Sequence, residues 1–178
     1  MKISWELMLI VLCLAGIQVG CGGGGGGGAA LGPGASSAVV TLKTTGNLPS
    51  GVTALSGAYV DLAIPYGVAV PTNADGSVKS GAITPAGVLA NGNGGIDLSF
   101  SSYSAPTVSK RGSLKFFVIS TDLTTNNSTF GIGDFATVMF QITGTIPEVN
   151  DFTYNTFNPA DLNLNPITVG SSLSFVVQ

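Results

Sequence analysis

Gly131-Ile132-Gly133-Asp134-Phe135-Ala136-Thr137-Val138-Met139-Phe140-Gln141-Ile142 is the stretch on which the fold turns. Two glycines and an aspartate make a turn. Ala136, Val138, Phe140 and Ile142 then alternate with Phe135, Thr137, Met139 and Gln141. Period two over this length is the signature of a strand, because successive side chains of extended backbone point to opposite faces.

The same pattern recurs on either side. Val40, Leu42 and Thr44 alternate with Thr41, Lys43 and Thr45, and Val60, Leu62 and Ile64 alternate with Tyr59, Asp61 and Ala63 until Pro65 closes the run. Ile96, Leu98 and Phe100 alternate with Asp97, Ser99 and Ser101, which predicts one dry and one wet face. Leu114, Phe116 and Val118 define a core face, and the apolar Phe117 and Ile119 between them predict a central strand buried on both sides. Phe152, Tyr154 and Thr156 make a weaker strand, and Leu173, Phe175 and Val177 a final one.

Between these runs stand Asn47–Gly51, Asn73–Gly76 and Asn91–Gly95, which carry turn chemistry. At most one short helical turn fits, around Ser80–Leu89. Seven to nine short strands predict an all-β, two-sheet antiparallel sandwich, of jelly-roll or immunoglobulin-like topology. No internal repeat suggests a solenoid or a propeller.

Composition narrows the chemistry. Only 8% of the 178 residues are charged, Gly supplies 26 positions, His is absent, and both Cys lie at or before position 21. These counts leave the body after position 21 without zinc clusters, His-ligated haem, thiol catalysis or intrachain disulfides. The net charge of −3 speaks against nucleic acid, which needs a basic stripe. The one adjacent basic pair, Lys110–Arg111 before Gly112, reads as a solvated turn.

Nothing selects a catalytic group. No carboxylate pair stands out for acid–base work, and a Ser nucleophile lacks its His. Asp161-Leu162-Asn163-Leu164-Asn165 has the opening of a calcium loop, but Pro166 takes the place of the turn Gly, and a short strand with Leu162 and Leu164 inward is the simpler reading. Asn73-Ala74-Asp75-Gly76-Ser77 lacks the first Asp and the closing Glu of such a loop. No metal and no cofactor is therefore expected. Asn126-Asn127-Ser128-Thr129 contains overlapping glycosylation sequons that otherwise read as a polar loop.

The start of the chain addresses the protein. Lys2 precedes an apolar run from Leu7 to Ile17, too short to span a bilayer and suited to a signal peptide over residues 1–20. The run ends in Ile17-Gln18-Val19-Gly20-Cys21, which resembles the lipobox of bacterial lipoproteins, with Gln18 where that family usually has Leu. The resemblance implies that Cys21 is acylated and becomes the first residue. The competing reading makes Cys21 an ordinary residue beside the cleavage site of a freely secreted protein. Gly22 in place of Asp implies, in a host with two membranes, the outer one, with the protein periplasmic or surface-exposed.

Gly22 to Gly28 and the Ala/Gly/Pro/Ser segment after them have nothing to bury, so residues 21–37 read as the lipidated Cys and a flexible tether. Random-coil statistics give it a reach of about 20–24 Å. No strand precedes the glycines and no Lys-Ser/Thr follows, so they are not a phosphate loop.

Residues 38–178 are similar to a cohesin, the sandwich that shares its fold with carbohydrate-binding modules. The likeness rests on the first strand Val39–Thr44, on Tyr59-Val60-Asp61-Leu62-Ala63-Ile64-Pro65-Tyr66, on Gly112-Ser113-Leu114-Lys115-Phe116-Phe117-Val118, and on the opening stretch from Gly131 to Ile142. It implies a cohesin-like jelly roll without catalysis, holding either a dockerin-like protein partner on one sheet face or a polysaccharide on an aromatic strip. Tyr59, Tyr66, Tyr103 and Tyr154 are the candidates for such a strip, since the sole Trp, Trp5, falls in the leader. Half-buried strand or rim aromatics are the plainer reading of all four. A structural or adhesive surface subunit that pairs through its sheet edges is the third expectation.

Overall fold

The computed structural model of the chain describes residues 37–90, 94–120 and 130–178. The expected leader, Cys21 and the glycine tether lie outside the described residues, as do Asn91–Asn93 and the sequons at Asn126–Thr129.

Among the described residues, nine strands form two antiparallel sheets. They are β1 (Ser37–Thr45), β2 (Leu55–Ile64), β3 (Val68–Ala69), β4 (Ile83–Pro85), β5 (Gly94–Ser104), β6 (Gly112–Ser120), β7 (Gly133–Ile142), β8 (Thr153–Asp161) and β9 (Gly170–Val177). One sheet, A, runs β3-β7-β1-β9, with β4 also paired to β7; the other, B, runs β5-β6-β2-β8. Neither closes on itself, and they pack face to face as a β-sandwich. The only helical pieces described are single 3-10 turns at Gly87–Leu89, inside the segment expected to hold one, and at Val149–Asp151. Among the described residues no helix is long and apolar enough to cross a membrane.

The core forms where the alternating apolar faces meet. Val40 and Leu42 of β1, Val60, Leu62 and Ile64 of β2, Leu114, Phe116 and Val118 of β6, and Val138 and Phe140 of β7 are all fully buried. Thr44 shares that face. Its hydroxyl donates to the Gly131 carbonyl at 2.9 Å and accepts the Gly133 N–H at 2.9 Å, so a polar group sits in the core without an unmet bond.

Added residues in β7 and β8 change the phase of the pattern. In β7 the register jumps from Leu42↔Ala136 to Lys43↔Asp134, which leaves Phe135 as the extra residue of a bulge. Phe135 and Ala136 therefore both point inward and both are buried. In β8 the jump from Asp61↔Thr156 to Leu62↔Tyr154 makes Asn155 the extra residue. The strand does not stop at Thr156 but runs on to Asp161 with the opposite phase, turning Phe157 inward. Phe157 stacks on Phe135 at 5.6 Å, so the two bulges, one in each sheet, supply one cross-sheet aromatic pair.

Three sequence expectations are corrected. β6 is central in its sheet, but Phe117 and Ile119 are not buried, because no layer of described structure covers the outer face of sheet B. Phe100 does not share the dry face of Ile96 and Leu98: the register of β5 breaks between Asp97 and Ser102, and the strand turns over. The segment after Asp161 is a turn rather than a short strand, with Leu164 at φ 65° and exposed.

Candidate functional site

β2 and β6 face each other in unbroken register, so their outward side chains form rows across the sheet. Lys115 lies opposite Asp61, Phe117 opposite Tyr59, and Ile119 opposite Gly57. β8 extends two of these rows with Asn158 beside Tyr59 and Ala160 beside Gly57; β5 adds Asp97 beside Phe117.

The result is an apolar patch on the outer face of sheet B. Phe117 is 37% exposed, Ile119 44%, Phe100 71% and Leu164 68%. Tyr59 and Phe117 meet with centroids 5.1 Å apart and planes tilted by 48°. Phe100 folds over Phe117 edge-on, at 6.3 Å and 81°. Between Tyr59, Phe117, Ile119, Asn158, Ala160 and Leu164 runs an open groove of about 310 Å³. Its floor is low because Gly57 has no side chain. A Cβ there would stand 2.7 Å from the Val118 carbonyl oxygen, so the strand can approach its neighbour only with glycine.

Leu164 reaches the groove at a cost. The left-handed conformation of a bulky L-residue is disfavoured by roughly 1–2 kcal/mol. The turn holds it there through Asp161, whose Oδ1 accepts the N–H groups of Asn163 at 2.8 Å and Asn165 at 2.9 Å, while the Asp161 carbonyl accepts that of Leu164 at 3.0 Å. The Asn165 N–H above all holds the Asp161 carboxyl below its ordinary pKa, against the opposing effect of desolvation.

The charges on this face are the Lys115–Asp61 pair at one end and Asp97 beside Phe117. Asp61, almost fully buried, accepts from the Ser113 hydroxyl at 2.7 Å and the Asn155 amide at 3.1 Å, and its other oxygen lies 3.8 Å from Lys115 Nζ. The other Asp residues described are likewise engaged. Asp75 accepts the Ser77 hydroxyl at 2.6 Å and its N–H at 2.9 Å, which together lower its pKa. Asp97 accepts Ser99 N–H, Asp151 accepts Glu148 N–H, and Asp134 pairs with Lys43. Both segments weighed as calcium loops thus direct their carboxylates at their own backbone. Among the described residues, no three His, Cys, Asp or Glu side chains gather to hold a metal ion. Arg111 is more than a solvated turn residue: it donates to the Asp151 carbonyl and to the Thr153 hydroxyl, tying the β5–β6 loop to the start of β8.

The four tyrosines do not form one strip. Tyr59 joins the patch, whereas Tyr66 is exposed on the turn after β2. Tyr103 lies inward on β5 opposite Leu114, and burial raises its pKa. Tyr154 sits between the sheets, packed on Phe157 at 5.4 Å, with its hydroxyl donating to the Ser172 carbonyl at 3.3 Å. Burial pushes its pKa well above the ordinary 10.0.

Phe100, Phe117 and Ile119, which the periodicity assigned to the interior, complete the exposed patch with Tyr59. One signal was available. Lys115 shares the period-two face of Phe117 and Ile119, and a lysine there marks that face as wet. Compared with known proteins, the chain matches no family model, no curated protein and no solved structure.

Proposed function

We propose that the chain is a non-catalytic bacterial envelope lipoprotein, anchored through Cys21, whose cohesin-like sandwich recognises another protein on the outer face of sheet B. The observation that carries this reading is the patch of Phe100, Phe117, Tyr59, Ile119 and Leu164, which no described residues cover. Contiguous exposed apolar surface with a polar rim is the usual mark of a partner site, and aromatic side chains are the usual anchors in one. Holding Leu164 in a disfavoured conformation beside the groove supports a functional role for that position.

Ring geometry favours protein over polysaccharide. A sugar ring stacks on a flat aromatic platform, whereas the rings of Tyr59, Phe117 and Phe100 are mutually tilted by 48° and 81°. They make a knobbed surface suited to interdigitating side chains. The carbohydrate-binding module is therefore the weaker alternative. The third reading, a structural or adhesive subunit, draws its support from the open edge of β9. Membrane attachment at the outer membrane rests on the small-residue–Cys21 step and the glycine run alone.

Screening the purified chain on a glycan array, in parallel with affinity capture from envelope extracts, separates the readings. Recovery of a specific protein with no glycan bound is expected; glycan binding with no protein recovered rejects the proposal. Feeding cells a radiolabelled fatty acid tests the anchor. Label is expected in the wild type and not in Cys21→Ser, and equal labelling of both defeats it.

A further inference from the structure

Of the four edges of the two sheets, three are blunted. β5 breaks register between Asp97 and Ser102. β8 carries the Asn155 bulge and Pro159, which has no N–H to offer. The far edge of sheet A is split into the short β3 and β4, the latter ending in Pro85. β9 has none of these devices. Its eight residues, Gly170-Ser171-Ser172-Leu173-Ser174-Phe175-Val176-Val177, contain no proline and no charge, and they pair with β1 without a register break. Such an edge is a template for another strand.

Its bonding groups can be assigned. Gln178 N–H donates to the Ser37 carbonyl at 2.8 Å and Ser37 N–H to the Gln178 carbonyl at 3.4 Å, so Ser37–Gln178 is a hydrogen-bonded pair. In an antiparallel ladder such pairs alternate. Val176, Ser174 and Ser172 therefore turn their N–H and C=O toward β1, while Ser171, Leu173, Phe175 and Val177 turn theirs to the open side.

We infer that β9 pairs with β9 of a second copy of this chain, antiparallel about a two-fold axis through Ser174, joining the A sheets of two sandwiches into one. This register sets Leu173 against the partner's Phe175 and Ser171 against the partner's Val177, so every outward N–H and C=O of the four residues meets a partner. An uncharged strand meets no like-charge repulsion when paired with itself. Leu173 and Phe175, half-buried at the rim of the core, with Phe175 packed on Phe152 at 5.5 Å, gain cover from each other across the axis. A groove of about 400 Å³ between the Val149–Asp151 turn and Ser171–Leu173 leaves room for the end of the partner strand. The inference is independent of the recognition patch, which lies on the other sheet.

The axis dictates the test. Ser174 is exposed on the outer face, and across the axis it meets its own copy in a close, non-hydrogen-bonded pair. In sedimentation velocity over a concentration series, the full chain is expected to dimerise. S174K and S174E should each be monomeric, with unchanged far-ultraviolet circular dichroism, and an equimolar mixture of the two should recover the dimer. A wild type that stays monomeric, a dimer that survives either single variant, or variants that stay monomeric on mixing overturns the inference.

Discussion

Leu164 and Tyr154 show how single residues answer to opposite demands. Leu164 is held at φ 65° by the Asp161 turn, and its side chain stands exposed over the groove. Asn tolerates the left-handed region through local hydrogen bonding. Leu164→Asn is thus expected to raise the unfolding free energy by about 1 kcal/mol while weakening partner capture. Denaturant titration beside a binding assay checks both signs, and a destabilised variant would contradict the assignment. Tyr154 is neutral and half-buried, with a folded-state pKa above the ordinary 10.0. Below that value both folded and unfolded chains keep the proton. Above it the unfolded chain ionises first, so stability falls as pH rises further. Burial of Tyr103 adds to the same slope. Tyr154→Phe keeps the ring and removes the ionisation, and its unfolding midpoint should decline less steeply over that alkaline range.

At the level of strands, one close approach and one bulge matter most. Gly57 lets β2 draw up to Val118, where a Cβ would meet the carbonyl at 2.7 Å. Gly57→Ala is expected to cost about 1–3 kcal/mol in urea unfolding, the ordinary penalty of overpacking. Phe135, the bulged residue of β7, fills the core between Phe130 and Phe157 at 6.1 and 5.6 Å. Phe135→Ala should cost about 3–5 kcal/mol, whereas an outward residue would cost little. These same sites mark the limit of what could be read from the residues. Alternation placed Val40, Leu42, Val60, Leu62, Leu114 and Phe116 inward wherever the ladder is continuous. It lost the phase at Phe135, at Asn155 and between Asp97 and Ser102, because one added residue flips every side chain beyond it and leaves no local trace. It also buried Phe117 and Ile119, since an apolar strand reads the same whether a second layer or solvent lies above it. The apolar patch was hidden for that reason, while the fold class was not.

On the scale of the whole molecule, two sheets enclose one core and leave three surfaces of different character. The outer face of sheet A mixes hydroxyls, with the Thr84 and Thr137 side chains bonded at 2.7 Å, and the exposed apolar side chains of Met139 and Val176. The β9 edge offers backbone, and the outer face of sheet B offers apolar side chains with one ion pair, Lys115–Asp61, at its end and Asp97 beside Phe117. Salt screens exposed charges and leaves apolar burial largely intact. Partner binding on sheet B is therefore expected to change little with ionic strength in a titration series; a steep loss would locate it elsewhere. The most direct test of recognition through this face is parallel affinity capture with the full wild-type chain, Phe117→Asp on the outer face of sheet B, and Gln141→Asp on the outer face of sheet A. Phe117→Asp is expected to lose the partner and Gln141→Asp to keep it. Retention by Phe117→Asp, or loss by Gln141→Asp, would contradict recognition through this face.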